Sequence, residues 1–143
     1  MYSAAADISN VITQASVLQL TDDEGLGSIN QARVTAAISS ADELINGYLR
    51  SRYTLPLAST PPMLKDLSVN LAICNLYQRR FAANMPEAIS KQYAASIKLL
   101  ESIQKGVISL GIEDTAQPAS GGGIRTNKTA DDRMFSKDEL SKY

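Results

Sequence analysis

Apolar residues recur along this chain at helical spacing, and the recurrence breaks at a few marked places. Val34, Ile38, Ala41, Ile45 and Tyr48 follow one another at steps of four, three, four and three. That is the period of a single helix face. Asn30 is a good N-cap for this stripe, and Ile29 before it is placed to staple onto Val34. A long helix is therefore expected from Asn30 to about Ser51. A second stripe of Leu64, Leu67, Leu71, Cys74, Tyr77 and Phe81, widened by Ile73 and Leu76, predicts a helix over about 62–82 that is the most buried of all. Asn84 and Pro86 mark the break after it. Ile89, Tyr93, Ile97, Leu100, Ile103 and Val107 predict a further helix to about Lys105, with Gly106 as its natural C-cap.

The amino-terminal signals are shorter. Residues 4–14 read as a helix with Ile8, Val11, Ile12 and Ala15 on one side and Ser3 as its N-cap. A turn or two around Val17 to Leu20 follows, with Leu18 and Leu20 as core candidates. The polar run from Thr21 to Ser28, with two glycines, reads as a loop.

The stretch from Asp42 to Leu67 joins the two strongest stripes. Leu44, Ile45, Tyr48 and Leu49 share a helical face, and the pattern then fails at Tyr53. Leu55 precedes Pro56 and Thr60 precedes Pro61, which pushes both toward extended backbone. Leu55 and Leu57 are expected to point the same way and cover one end of a helical core. Pro61 or Pro62 then falls in the first turn of the next helix. The run from Val107 to Ile112 is too short to assign, an extended segment being one option.

Glycine, serine, threonine and proline dominate from Glu113 onward, a composition that buries little. The organisation expected is thus all-α: a compact bundle of about four main helices over residues 1–112, and a flexible or partner-bound C-terminal arm over 113–143. Near the end, Ser136 and Glu139 have capping-box spacing and could start one short turn.

Composition narrows the chemistry. A chain of 143 residues suits one domain. Ala, Leu and Ile supply most of the 44% hydrophobic content, whereas aromatics are 6% and Trp is absent, which favours helix packing. A net charge of −1 argues against free nucleic-acid binding, which rests on phosphate neutralisation. The single cysteine forbids an internal disulfide and a cysteine-based metal site. The first residues lack the basic start of a secretory signal, and no run approaches the roughly 20 apolar residues of a membrane span. Cytoplasmic assembly is the expectation.

No reactive constellation emerges. Cys74 lies on an apolar stripe, and with no histidine in the chain the usual activating base is missing. Asp22, Asp23 and Glu24 beside Gly25 and Gly27 invite a calcium-loop reading. With Asp22 first, however, position five is Leu26 and position twelve is Arg33, where an acidic ligand is needed. A solvated turn fits better. Gly121–Gly123 has the wrong spacing for a phosphate loop. Asp42 and Glu43 diverge by about 100° on a helix and cannot readily share a substrate. Arg50, Arg52, Arg79 and Arg80 would form a basic edge if their helix ends lay close, for acidic protein or a DNA backbone.

Several of these residues carry a resemblance. Leu20-Thr21-Asp22 comes first, then Ile45, Tyr48, Leu49, Arg52, Tyr53, Leu55, Pro56 and Leu57, then Pro61, Pro62 and Leu64. With Tyr77, Arg80, Tyr93, Gly106, Leu110, Gly111, Arg133, Phe135 and Leu140, they resemble Mu-like prophage proteins treated as head–tail connector or adaptor subunits. The Arg-Tyr-x-Leu-Pro-Leu corner at 52–57 is the most specific part. The resemblance implies a non-enzymatic, cofactor-free neck protein of the virion, assembled in the host cytoplasm. It implies a ring of roughly twelve subunits, by family analogy, between the portal protein and the tail or a second neck protein. DNA would pass through the lumen without sequence-specific binding, and no membrane is involved.

Within such a ring, Asp22, Asp23 and Glu24 of one subunit are expected to meet Arg50 and Arg52 of the next. Arg133, Phe135, Leu140 and Tyr143 are expected to anchor the arm on a neighbour. The alternative is a helical DNA-binding packaging or regulatory protein using Arg79 and Arg80.

Overall fold

A computed structural model describes residues 1–81 and 85–112. Among these residues the chain is all-α, with helices α1 (Ala5–Val11), α2 (Gln14–Thr21), α3 (Gln31–Leu49), α4 (Pro62–Phe81) and α5 (Glu87–Gln104). The expectations for the Phe81 side chain, for the break at Asn84 and for residues 113–143 lie outside the described residues.

The central pair is α3 and α4, which run antiparallel. Asn75 Nδ2 donates to the Ala37 carbonyl at 3.1 Å, and Ser68 Oγ donates to Asp42 Oδ1 at 2.6 Å. As one helix advances the other recedes. α5 packs on both of them, with Gln92 Nε2 donating to Asn70 Oδ1 at 2.8 Å. α1 and α2 lie against the remaining faces of α3 and α4.

Sequence fixes these boundaries locally. Asn30 caps α3 as expected, its Oδ1 accepting from the Arg33 N–H at 3.3 Å. Thr13 caps α2, its hydroxyl accepting from the Ser16 N–H. Pro61 and Pro62 open α4, where a missing N–H is no loss. The N-cap of α1 is Ala4 rather than Ser3: Asp7 accepts the Ala4 N–H at 2.9 Å, half of a capping box. Ser3 is instead buried against α4.

The core follows the predicted stripes with informative exceptions. Val34, Ile38, Ala41, Ile45 and Leu49 of α3 are buried, whereas Tyr48 is only half-buried. α4 buries Leu64, Leu67, Val69, Leu71, Ala72, Ile73, Cys74 and Leu76, more than any other helix. On α5, Leu100 and Ile103 are inside, but Ile97 is half-buried and Val107 is 78% exposed. Gly106 turns the chain at φ +80°, so the stripe cannot continue through it. Val11 is likewise exposed, because α1 ends there and Ile12 is extended.

Tyr53, where the helical pattern fails, is 2% exposed. The N–H groups of Arg52 and Tyr53 both bond the Leu49 carbonyl, at 2.9 Å each, and this tight turn folds Tyr53 back onto the core. Leu55 and Leu57 pack partly buried against that end of the bundle, as expected, with a cis peptide bond before Pro56. Residues 107–112 form bends rather than an extended segment, and Leu110 is buried.

Candidate functional site

Polar chemistry concentrates at three places, the first of them inside the bundle. Asp42 stands four residues after Ile38 and three before Ile45, on the apolar face of α3 itself. Ser68 occupies the same kind of place on α4, between Leu64 and Leu71. Both are buried, and they meet through the 2.6 Å bond from Ser68 Oγ to Asp42. Ser68 has one hydroxyl proton, so Ser3 must donate across the 2.7 Å gap between the two serine oxygens. The Tyr2 N–H donates to Asp42 Oδ2 at 2.9 Å, and the Tyr2 hydroxyl bonds Asn46. Burial, and then the Asp42 charge, push the Tyr2 phenol above its usual range. Residues 2 and 3 are thereby tied to the middle of the central helix pair.

The second place is the loop between α2 and α3. Asp22 folds it, accepting the N–H groups of Leu26 at 2.9 Å and Gly27 at 2.8 Å. Asp23 is the hub. Arg79 holds it by two bonds of 2.6 and 3.0 Å, Arg80 lies at 3.1 Å and Arg33 at 3.2 Å. Glu24 and Arg33 form a two-bond fork at 2.6 and 2.9 Å. The same arginines bond main-chain carbonyls: Arg33 that of Thr21, Arg79 that of Leu20 and Arg80 that of Asp22. The loop N–H groups hold the Asp22 carboxyl below its ordinary range, Arg79 does so for Asp23, and Arg33 for Glu24. The three acids and three arginines balance in charge.

The third place is the corner after α3. Arg52 Nη1 donates to the Ile103 carbonyl at 3.0 Å, capping the C-terminal end of α5 with a cation. Its guanidinium also lies 5.7 Å from the Tyr53 ring centre. The Tyr53 hydroxyl accepts the Leu110 N–H at 3.2 Å. The Arg-Tyr pair thus fastens both α5 and the segment after it to the corner. Beside it lies a groove of about 590 Å³, lined on one side by Leu55, Pro56 and Leu57 and elsewhere by polar groups that include Asp42, Asn46 and Arg50.

This geometry revises the expected site. Asp22, Asp23 and Glu24 form the solvent-exposed turn expected, and three arginines of the same chain bind it. Arg50 and Arg52 sit at the C-terminal end of α3, whereas Arg79 and Arg80 end the antiparallel α4. The four arginines are therefore at opposite ends of the bundle and make no common basic edge. Arg79 and Arg80, on which the alternative DNA-binding reading rests, are both paired with Asp23 and each stays about a third exposed. Arg52 is engaged inside its own chain, while Arg50 lines the groove. Arg133, Phe135, Leu140 and Tyr143 lie outside the described residues.

Cys74 is fully buried, and burial pushes its thiol up, away from the nucleophilic form. Among the described residues no group of acidic, histidine or cysteine side chains has the geometry to hold a metal ion, and no helix is long and apolar enough to cross a membrane. Reading by sequence assigns Ser68 no part at all, and it offers Ser3 only as a helix cap, Asp42 only beside Glu43 and Arg33 only as a misfit in a calcium loop. For Asp42 and Ser68 a signal existed, since each interrupts an apolar stripe in register with it.

Comparison with known proteins agrees with the resemblance carried by the corner. The Mu-like prophage FluMu protein gp36 of Haemophilus influenzae is 32% identical over 87 residues, covering 61% of this chain and 59% of that protein's length. The chain thus matches somewhat over half of that relative. Gene product J of Escherichia phage Mu is 26% identical over 111 residues, covering 78% of this chain and 76% of its own. The family described as Bacteriophage Mu, Gp36 matches residues 2–127, a span that takes in every helix among the described residues and the three polar clusters. The chain is a phage protein and belongs to the Bacteriophage Mu Gp36 family.

Proposed function

We propose that this protein is a structural subunit of the phage particle, a head–tail connector or adaptor that forms a ring in the neck between portal and tail. The observation that carries the proposal is family membership over residues 2–127, within a bundle whose polar clusters all serve as internal fastenings. Asp42 with Ser68, Asp23 with its arginines and Arg52 with Ile103 each join elements distant in sequence. Among the described residues no buried side-chain polar atom lacks a partner. Such a unit keeps its shape under load, which suits a part that holds two larger assemblies together.

In this reading the portal protein lies on one side and the tail or a second neck protein on the other, with DNA passing through the lumen unread. Phe135 and Leu140, with Arg133 and Tyr143, serve as contacts to a neighbour. Complementation tests the assignment. A phage lacking the gene should accumulate filled heads and separate tails by negative-stain microscopy, and the wild-type gene should restore joined particles. Normal tailed particles without the protein would overturn it. Deleting residues 130–143 should leave the melting temperature unchanged and abolish incorporation into particles. A large fall in melting temperature would instead assign that segment to its own bundle.

A further inference from the structure

The loop held by Asp22 presents an apolar side chain to solvent. Leu26 is 76% exposed between Gly25 and Gly27, whose φ angles of +72° and +69° are open to glycine and rarely to other residues. Its own N–H and that of Gly27 are both bound to Asp22, and the loop base is pinned by Arg33, Arg79 and Arg80. An exposed leucine by itself is ordinary. One held out on a loop fixed by six charged side chains has a defined position and little conformational freedom left to lose on contact.

The groove beside Tyr53 is mixed in character, with one apolar wall and one polar wall of Tyr2, Asp42, Asn46 and Thr60. Leu55, Pro56 and Leu57 form the apolar wall, a strip that a single leucine could cover, and Arg50 stands in the lining without an ion pair among the described residues. Glu24, next to the leucine loop, keeps its carboxylate about half exposed. The loop precedes the N-terminus of α3 and the groove adjoins its C-terminus. The 19 residues of α3 separate them by about 28 Å. No chain can therefore fill its own groove with its own loop. Each copy carries one donor and one acceptor surface, the arrangement of a head-to-tail interface, which closes into a ring when the rotation between copies allows.

We propose that Leu26 of one copy seats in the groove lined by Leu55, Pro56 and Leu57 of a second copy, with Glu24 approaching Arg50. The occupant is another molecule of this chain. The inference rests on the ring reading above and names the contact through which the ring forms. It also replaces the broader expectation that the whole acidic loop pairs with Arg50 and Arg52. The ion pair at the rim sets register, and the leucine supplies the burial.

The test places photoreactive p-benzoylphenylalanine at position 26 of the full chain and irradiates an equal mixture of unlabelled and ¹⁵N-labelled protein. Seating in the groove gives mixed-isotope cross-links from position 26 to the tryptic peptide Tyr53–Lys65. In parallel, Leu26→Glu should weaken self-association at least tenfold in sedimentation velocity with no change in melting temperature, and Leu26→Met should retain it. Oligomers whose cross-links fall elsewhere, or a Leu26→Glu variant that assembles normally, would overturn the docking while leaving the ring intact. A wild-type chain that sediments as a monomer at every concentration and gives no cross-link would overturn both. A Leu26→Glu variant that melts early would show that the leucine supports its own bundle, and would also overturn the docking.

Discussion

Gly106 combines two separate demands on one residue. Its φ of +80° is strained for any residue with a Cβ, and a Cβ there would stand 2.6 Å from Arg52 Nη1. Gly111, at φ +73°, has open space instead, so comparing the two isolates the arginine. Gly106→Ala should cost about 1–3 kcal/mol in urea denaturation, because backbone strain adds to loss of the Arg52–Ile103 bond. Gly111→Ala should cost only the strain, about 1 kcal/mol. Equal losses would mean that the guanidinium moves aside freely. Asp42 makes a comparable demand inside the bundle. Asp42→Ala removes the acceptor for buried Ser68 and for the Tyr2 N–H, and should cost about 1–3 kcal/mol. Hydrogen exchange at the Tyr2 amide should accelerate in that variant, and unchanged protection would detach residues 1–3 from this network.

At the scale of elements, α4 is the beam on which the others rest. Leu71, fully buried at its middle, should lose about 2–5 kcal/mol on Leu71→Ala, since little around it can collapse into the space. A thermal melt within a degree or two of wild type would refute the central place of α4. The helices and most of their inward faces were legible from sequence, because stripes such as Val34–Ile45 and caps such as Asn30 are local signals. What escaped was decided by tertiary contact. Tyr53 turns inward because its N–H and that of Arg52 both bond the Leu49 carbonyl, and Val107 turns outward because Gly106 reverses the chain. Asp42 and Ser68 betrayed themselves only as polar interruptions in apolar stripes. Arg79 and Arg80 are set opposite Asp23 by antiparallel packing, which no spacing along the chain announces.

For the molecule as a whole, acid is the condition that should loosen it. Asp7, Asp22, Asp23 and Glu24 all titrate below their ordinary ranges when folded. The stabilisation is therefore present above the unfolded carboxyl value of about 4 and is lost as pH falls through the depressed folded values. The melting temperature should hold from pH 7 to about 5 and drop below about 4. Asp23→Asn should lower the melting temperature at pH 7 and flatten that drop. An unaltered slope would mean that the hub carboxylate does not stabilise the loop. Because these groups are exposed, added salt should shrink the effect of the substitution.

The antiparallel seating of α3 on α4 also bears on how the chain is made. Synthesis from the amino terminus completes α3, with Val34, Ile38, Ala41, Ile45 and Leu49 along one side, before any of α4 exists. At 5–20 residues per second the 32 residues from Arg50 to Phe81 take about 2–6 s to appear. For that interval a greasy ridge with the Asp42 carboxylate in its middle awaits its counterpart. A carboxylate in the middle of that ridge should keep water on it and reduce sticking between nascent chains until α4 is made. It becomes a fastening only when Ser68 is made. Removing it would be felt first as inclusion bodies and only afterwards as a lower melting point.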